Sequence, residues 1–258
     1  MLLVSSKKDN LIGITDEEDN TEEYILKALR VGIKIYGSEI SKGVLYTKVV
    51  EKGYTALEMA KRLLVDSIWK SANLEGLGTT FPKTEAILEN APTNTTREEM
   101  YFIVNMKRAW YFLFDNIEYP CNLMFLHELN KIVGEGLFNG NGSVRNTTVR
   151  IGGTDWIPDI PIEEIIVDRL HDIDEINDIE ERALKYFCYV ARSQIFIDGN
   201  KRVAQLIANK VLIDNNIGIF QIPIEKLEEF KGLLIKFYET NNDVKIIEFM
   251  KSNCIVRV

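Results

Sequence analysis

The chain has 258 residues, the size of one large domain or of a domain with an extension. Its 46% hydrophobic content suits a globular protein with a sizeable core, and its formal net charge of −8 argues against a nucleic-acid partner, whose footprint is basic. No apolar run approaches the ~18–20 residues of a membrane span. Met1 to Asn10 is unlike a secretory signal. The three cysteines, Cys121, Cys188 and Cys254, lie in unrelated contexts and fit reduced thiols in a cytoplasm. With two histidines in the chain, no His-rich metal site is available.

Residues 1 to about 20 are charged, lack periodicity and read as a loose segment or a simple cover. Asp19-Asn20-Thr21-Glu22-Glu23 reads as a helix start, with Tyr24, Leu26, Leu29 and Ile33 following before Gly37. Ser38 to Gly53 is ambiguous, and Val44-Leu45-Tyr46 fits a short strand or part of a helix. Thr55-Ala56-Leu57-Glu58 is a capping box, and the helix it opens carries Leu57, Ala60, Leu64 and Ile68 on one face. That helix runs to Leu74-Glu75-Gly76, where the glycine suits a C-terminal cap. Ser71 and Glu75 lie four apart on one of its faces; taken alone, they are a helix end with an exposed serine and glutamate.

Thr96-Arg97-Glu98-Glu99 is a second capping box, and Phe102, Ile103, Met106, Ala109, Trp110 and Phe114 behind it form a core stripe. Pro120 to Leu137 reads as a helix with the proline in its first turn and Leu123, Leu126, Leu129 and Val133 inward. Asn139-Gly140-Asn141-Gly142 breaks that pattern. Thr147 to Ile157 mixes β-branched residues with Gly152-Gly153, as a hairpin does. Further helices are expected from Pro161 to about Leu170, from Ile179 to Ser193, from Lys201 to Ile213, from Pro223 to Tyr238 and from Val244 to Met250. No repeat, low-complexity tract or linker interrupts them.

Between two of these helices lies Ser193-Gln194-Ile195-Phe196-Ile197-Asp198-Gly199-Asn200-Lys201-Arg202. Asp198-Gly199 is a turn signal, and a glycine lets a ligand approach the backbone closely. Lys201 and Arg202 sit at a helix start, whose first amides lack internal partners and carry partial positive charge. The stretch is a candidate phosphate cradle, with Asp198 able to hold a divalent cation against the same phosphates. Its plainer reading is a polar turn with an N-cap between two core helices.

These residues resemble the signature loop of the Fic family (Fic/Doc), His-x-Phe-x-Asp/Glu-Gly-Asn-Gly/Lys-Arg-x-x-Arg. Phe196, Asp198, Gly199, Asn200, Lys201 and Arg202 match; Gln194 stands at the histidine and Gln205 at the final arginine. Ser71-x-x-x-Glu75-Gly76 is similar to the family's inhibitory motif, and Gly142-x-x-Arg145-x-x-x-Val149-x-Ile151-Gly152 to its flap, the hairpin that clamps a target peptide. The resemblance covers about residues 57–251 and joins the three motifs in the family's order.

The resemblance implies an all-α, mostly helical Fic-type bundle with one small β-hairpin flap. It divides the chain into an N-terminal extension, 1–54, and a Fic-like domain, 55–258, with an inhibitory-type helix at 56–75. It implies transfer of AMP from ATP to a protein hydroxyl, with Mg²⁺ held by Asp198, and phosphate binding by Gly199, Asn200, Lys201 and Arg202, Gln205 standing beside them. Gln194 takes the place of the general base; an amide accepts no proton near neutral pH, and losing a base costs on the order of 10²–10⁴-fold. Lys201 in place of glycine also occurs in Doc-type relatives, some of them kinases, and those still use the histidine. The implied partner is an unknown target protein docking on the flap, 143–157, with no nucleic acid and no membrane; an oligomer is left open. Glu75 is the implied inhibitor of nucleotide binding, and with Gln205 in its usual partner's place Arg202 is the alternative partner. Two functions lead, a degenerate protein adenylyltransferase with weak or altered activity and a non-catalytic nucleotide-binding regulator; a helical scaffold that binds nothing small is the blander third.

Overall fold

The computed structural model describes the strands Leu2–Ser5, Leu11–Ile14 and Lys34–Tyr36 and all of residues 55–258. The chain divides into two compact units, Met1–Lys52 and Gly53–Val258. In the first, β1 (Leu2–Ser5), β2 (Leu11–Ile14) and β3 (Lys34–Tyr36) form an antiparallel sheet in the order β2-β1-β3. Leu3 faces Gly13 on one side and Tyr36 on the other. A start that reads as loose from sequence therefore holds two strands. Each is four residues long, too short for periodicity to register, and strand pairing decides their state. Of the helix expected from Asp19 toward Gly37, the end at Lys34–Tyr36 is strand β3 and the rest lies outside the described residues, as does the ambiguous Val44-Leu45-Tyr46.

The second unit begins at the Thr55 capping box. Thr55 Oγ1 accepts from the Glu58 N–H at 3.2 Å, and Glu58 Oε2 accepts from the Thr55 N–H at 3.0 Å. The helix expected to reach Leu74 is two helices, α1 (Ala56–Arg62) and α2 (Leu64–Leu74), because Leu63 leaves helical geometry at φ −92°, ψ 13°. α3 (Phe81–Leu88), not foreseen, starts where Thr80 Oγ1 accepts from the Lys83 N–H at 3.3 Å and Pro82 occupies the first turn. α4 (Arg97–Asp115) opens on the Thr96 box. α5 (Leu123–Gly134) begins three residues after Pro120, because Asn122 caps it by accepting from the Phe125 N–H at 3.0 Å.

The remaining elements are α6 (Glu163–Asp174), α7 (Ile179–Ser193), α8 (Asn200–Asp214), β4 (Gly218–Phe220), a 3₁₀ turn at Ile224–Lys226, α9 (Leu227–Thr240), α10 (Val244–Asn253) and β5 (Ile255–Arg257). β4 and β5 pair antiparallel with Ile219 opposite Val256. α8 is the centre: every residue from Arg202 to Ile213 is buried, and the helix packs on α7, α5, α1, α4 and β4. Its neighbours show one apolar stripe each, whereas α8 is covered on all sides.

The expected hairpin over Thr147 to Ile157 needs correcting. Gly152 and Gly153 form a turn, but the arms carry no strand pairing, and the small sheet of this unit is β4–β5. A lone hairpin is marginal in water. Here side chains hold the segment instead. Trp156 stacks on Tyr238 at 6.3 Å, Arg192 lies 4.0 Å over the Trp156 ring, and Thr154 Oγ1 donates to Glu239 Oε1 at 3.2 Å. Among the described residues no helix is long and apolar enough to cross a membrane.

Candidate functional site

α7 ends at Gln194, which adopts left-handed geometry (φ 48°, ψ 56°) and turns the chain sharply away from the helix axis. Ile195 and Phe196 are fully buried, so they anchor the turn from below. The chain then rises through half-exposed Ile197 to Asp198, whose side chain is 61% exposed. Gly199, at φ +78°, turns it back into α8. A Cβ there would lie 3.0 Å from Asn130 Nδ2 and 3.3 Å from Val133, so both the backbone angle and the space favour glycine.

Polar side chains staple the turn. Asn200, 3% exposed, accepts from the Phe196 N–H at 3.0 Å and donates to the Phe196 carbonyl at 2.9 Å and to Gln194 Oε1 at 3.1 Å. Gln194 Nε2 donates to the Ala191 carbonyl at 2.6 Å. Both ends of the Gln194 amide are thus engaged within the protein. Two further residues hold the turn from outside: Asn130, missed from the sequence, and Arg145, read there only as part of the flap. Fully buried Asn130 donates to the Asp198 carbonyl at 2.8 Å and accepts from the Gly142 N–H at 2.7 Å. Arg145, 4% exposed, donates to the carbonyls of Gln194 (2.5 Å), Thr147 (2.7 Å) and Asp159 (2.5 Å), while its own N–H donates to the Ile195 carbonyl at 2.9 Å. Burial pushes its guanidinium pKa down, and the carbonyls hold it in place. Asn130 had a signal: it is a polar residue on the same face as Leu126 and Val133.

The two bases of the turn point different ways. Arg202 is 5% exposed; it donates to the Val133 carbonyl at 2.8 Å and to Asp198 Oδ2 at 3.1 Å, with the Phe102 and Phe138 rings 5.4 and 5.5 Å away. Its buried Nε has no partner. Asp198 Oδ1 accepts from the Gly199 N–H at 2.6 Å. Lys201 instead reaches α2 and pairs with Glu75 at 2.9 Å. Glu75 therefore meets Lys201, not Arg202. Consecutive helical residues point about 100° apart, and Arg202 is turned inward.

Gln205, 8% exposed, donates to the Lys201 carbonyl at 3.2 Å, one turn back on α8, and so is drawn onto its own helix. Ser71 is not the exposed serine of the plainer reading. It is 2% exposed, with an unpartnered hydroxyl one turn before Glu75. The hydroxyl of Tyr238 is likewise buried without a partner; burial, and then the Glu75 carboxylate, raise its pKa. His127 packs edge-on against Phe196 at 5.8 Å. That contact is with the buried anchor of the turn, not its exposed face. A depression lined by Cys121, Asp174, Arg182 and Lys210 lies by the C-terminal end of α8, away from the turn.

The arrangement offers a glycine-led helix N-terminus, an exposed carboxylate and a buried guanidinium with one spare donor. That set suits a phosphate group. It also fits Mg²⁺, which keeps most of its waters and needs one or two carboxylates beside the phosphates; Asp198 is the carboxylate present.

Residues 120–212 match the Fic/DOC family. No curated protein matches the chain. Among solved structures, a Fic-domain-containing signaling protein from Bacteroides thetaiotaomicron is similar with a TM-score of 0.63 and 19% identity, over 83% of this chain and 91% of that one. A Fic family protein from Desulfovibrio desulfuricans gives 0.62 and 15%, over 84% and 72%. Fic-1 from C. elegans gives 0.62 and 18%, over 91% and 74%. At these identities the likeness is one of fold, and the fold is the Fic helical fold.

Proposed function

From a Fic/DOC segment at residues 120–212 on a Fic fold, we propose that this protein binds ATP with Mg²⁺ at the Asp198–Arg202 turn as a degenerate protein adenylyltransferase of weak or altered activity. The observation that carries this reading is the turn itself. Gly199 turns the chain into the start of α8, and there Arg202 and the exposed Asp198 stand side by side at 3.1 Å.

In the transfer, a target hydroxyl oxygen bonds to the α-phosphorus as the bond to the β-phosphate breaks and pyrophosphate leaves; the hydroxyl proton needs an acceptor. The amides of the α8 start and Arg202 would stabilise charge on the phosphate oxygens. Asp198 would hold Mg²⁺, which neutralises phosphate charge. Gln194 can orient a hydroxyl but not take its proton. What remains is positioning and charge stabilisation, enough for residual transfer.

A second reading, a non-catalytic nucleotide-binding regulator, is favoured by the engagement of Gln194 by Ala191 and Asn200, which leaves its amide serving the turn. Both readings require binding. ATP with Mg²⁺ is expected to raise the thermal midpoint of the wild type, and Asp198→Ala is expected to abolish most of the rise measured against the variant's own ligand-free midpoint, which the lost contacts with Arg202 and the Gly199 N–H lower. Absence of any ATP-dependent rise in the folded wild type would overturn the proposal.

A further inference from the structure

The segment that runs from the end of the 143–157 stretch through α6 carries a net charge equal to that of the whole molecule. Residues 155–178 hold nine carboxylates and one arginine, a net −8, equal to that of the full 258-residue chain. The same segment exposes apolar surface: Ile157, Ile160, Ile162 and Ile165 are 45%, 51%, 53% and 53% exposed within nine residues. Exposed isoleucines are unremarkable singly, but four in succession form a patch that usually meets a partner. Ile162 and Ile165 stand three apart at the start of α6, whose inward stripe, Ile166, Leu170 and Ile173, already serves the core. These four are therefore surplus to the packing of the helix.

Asp178 caps α7 by accepting from the Glu181 N–H at 2.8 Å, and Glu163 and Glu164 suit the first turn of α6; the acids at the far end of α6 gain no such support from their helix. Asp172, Asp174 and Glu175 stand at the C-terminal end of α6, where the helix dipole disfavours negative charge. Ile162 caps the other end without a side-chain hydrogen bond. Among the described residues, Asp155, Asp159, Glu163, Glu164, Asp168, Asp174 and Glu175 have no lysine or arginine within ion-pair distance; Asp172 pairs with Arg169 on an exposed surface, and Asp178 with Lys251.

We propose that the isoleucine row, residues 157–165, with its acidic surround on α6, is the docking surface for a partner protein presenting a basic, amphipathic segment. Charge selects the occupant. A second copy of this chain would bring its own net −8 against the first, an anionic bilayer or a nucleic acid would be repelled in the same way, and a polycationic segment with an apolar face complements both properties at once. The surface is continuous with the turn, since the carbonyl of Asp159 accepts from Arg145, which also holds the carbonyl of Gln194. It thus extends the reading above by naming the partner's chemistry, yet its test needs no nucleotide and stands or falls apart from ATP binding.

The test is binding of a fluorescent amphipathic helical peptide of leucine and lysine to the full chain, followed by anisotropy, with a serine–lysine peptide as control. The leucine–lysine peptide is expected to bind at low salt and to weaken as NaCl rises. Ile160→Ser with Ile165→Ser is expected to weaken it by about tenfold, and Glu164→Lys with Asp168→Lys by at least as much. Val244→Ser, at an exposed apolar site outside the segment, is expected to leave it unchanged. Equal binding by wild type and the isoleucine variant, or equal binding of the two peptides, would overturn the proposal in favour of nonspecific charge attraction. Salt-insensitive self-association of the wild type that the isoleucine variant abolishes would overturn it in favour of a second copy. All substitutions are at exposed positions, so the variants keep the fold, which their circular dichroism checks.

Discussion

Gln194 and Glu75 both engage the turn, Gln194 through Asn200 and Glu75 through Lys201. Gln194 lies in a left-handed conformation that costs a non-glycine residue about 1 kcal/mol, a cost offset by Arg145 on its carbonyl and Asn200 on its amide. A histidine there keeps the backbone contact with Arg145 and gains a nitrogen that can accept a proton. Glu75 pairs with Lys201 at the start of α8, and on the proposed function that pair would compete with a phosphate for the lysine. Replacing Glu75 by glycine frees the lysine and removes a carboxylate from beside the proposed anion site. Gln194→His with Glu75→Gly is therefore expected to raise incorporation of label from α-labelled ATP into protein by about 10²-fold or more over wild type. Equally strong labelling by the wild type would mean that a base other than residue 194 serves the reaction.

Capping carries much of the architecture at the level of elements. Glu99 closes the Thr96 box and also binds Lys83 of α3 at 2.7 Å, so one carboxylate fixes the start of α4 and its contact with α3. Burial raises its pKa, but Lys83 and the Thr96 N–H outweigh that and hold it below the usual carboxylate value. A lowered folded pKa means the stabilisation is present above the unfolded value, about 4.3, and is lost as pH falls through the folded one. Glu99→Gln is expected to cost on the order of 1 kcal/mol at pH 7. The gap to wild type should close below about pH 4, as thermal melts across pH would reveal; a constant gap would assign the effect to the cap alone. The segment 147–159 illustrates the complementary case. With no ladder of its own, it takes its shape from Arg145 at its base and Trp156 on its returning arm.

The second unit as a whole is built round α8, which has no solvent face between Arg202 and Ile213. A helix enclosed on every side has no room to relax. Ala208, fully buried, packs where a larger residue must displace its neighbours. Ala208→Leu is expected to destabilise the folded protein by about 1–3 kcal/mol, measured by urea unfolding; no loss would mean that the helix has slack. The same enclosure makes the turn before α8 rigid, because the helix that carries Asn200 and Arg202 cannot shift without its surroundings. Buried Lys210 adds to this by donating to the Ile117 carbonyl at 2.7 Å, tying the end of α8 to the α4–α5 connection.

By itself the sequence determined the helices with periodic apolar stripes and capping residues, and the spacing that sets Asp198, Gly199, Asn200 and Arg202 on one turn into a helix. These features depend on residues within a few positions of one another, and local chemistry is legible in order. Tertiary structure decided which base meets Glu75, that Asn130 and Arg145 hold the turn, that the flap is pinned by side chains and not by a ladder, and that the paired strands of this unit are Gly218–Phe220 and Ile255–Arg257. Each of these joins residues far apart in the chain. Their partners are chosen by which faces the packed helices leave free, and no local pattern of residues encodes that choice.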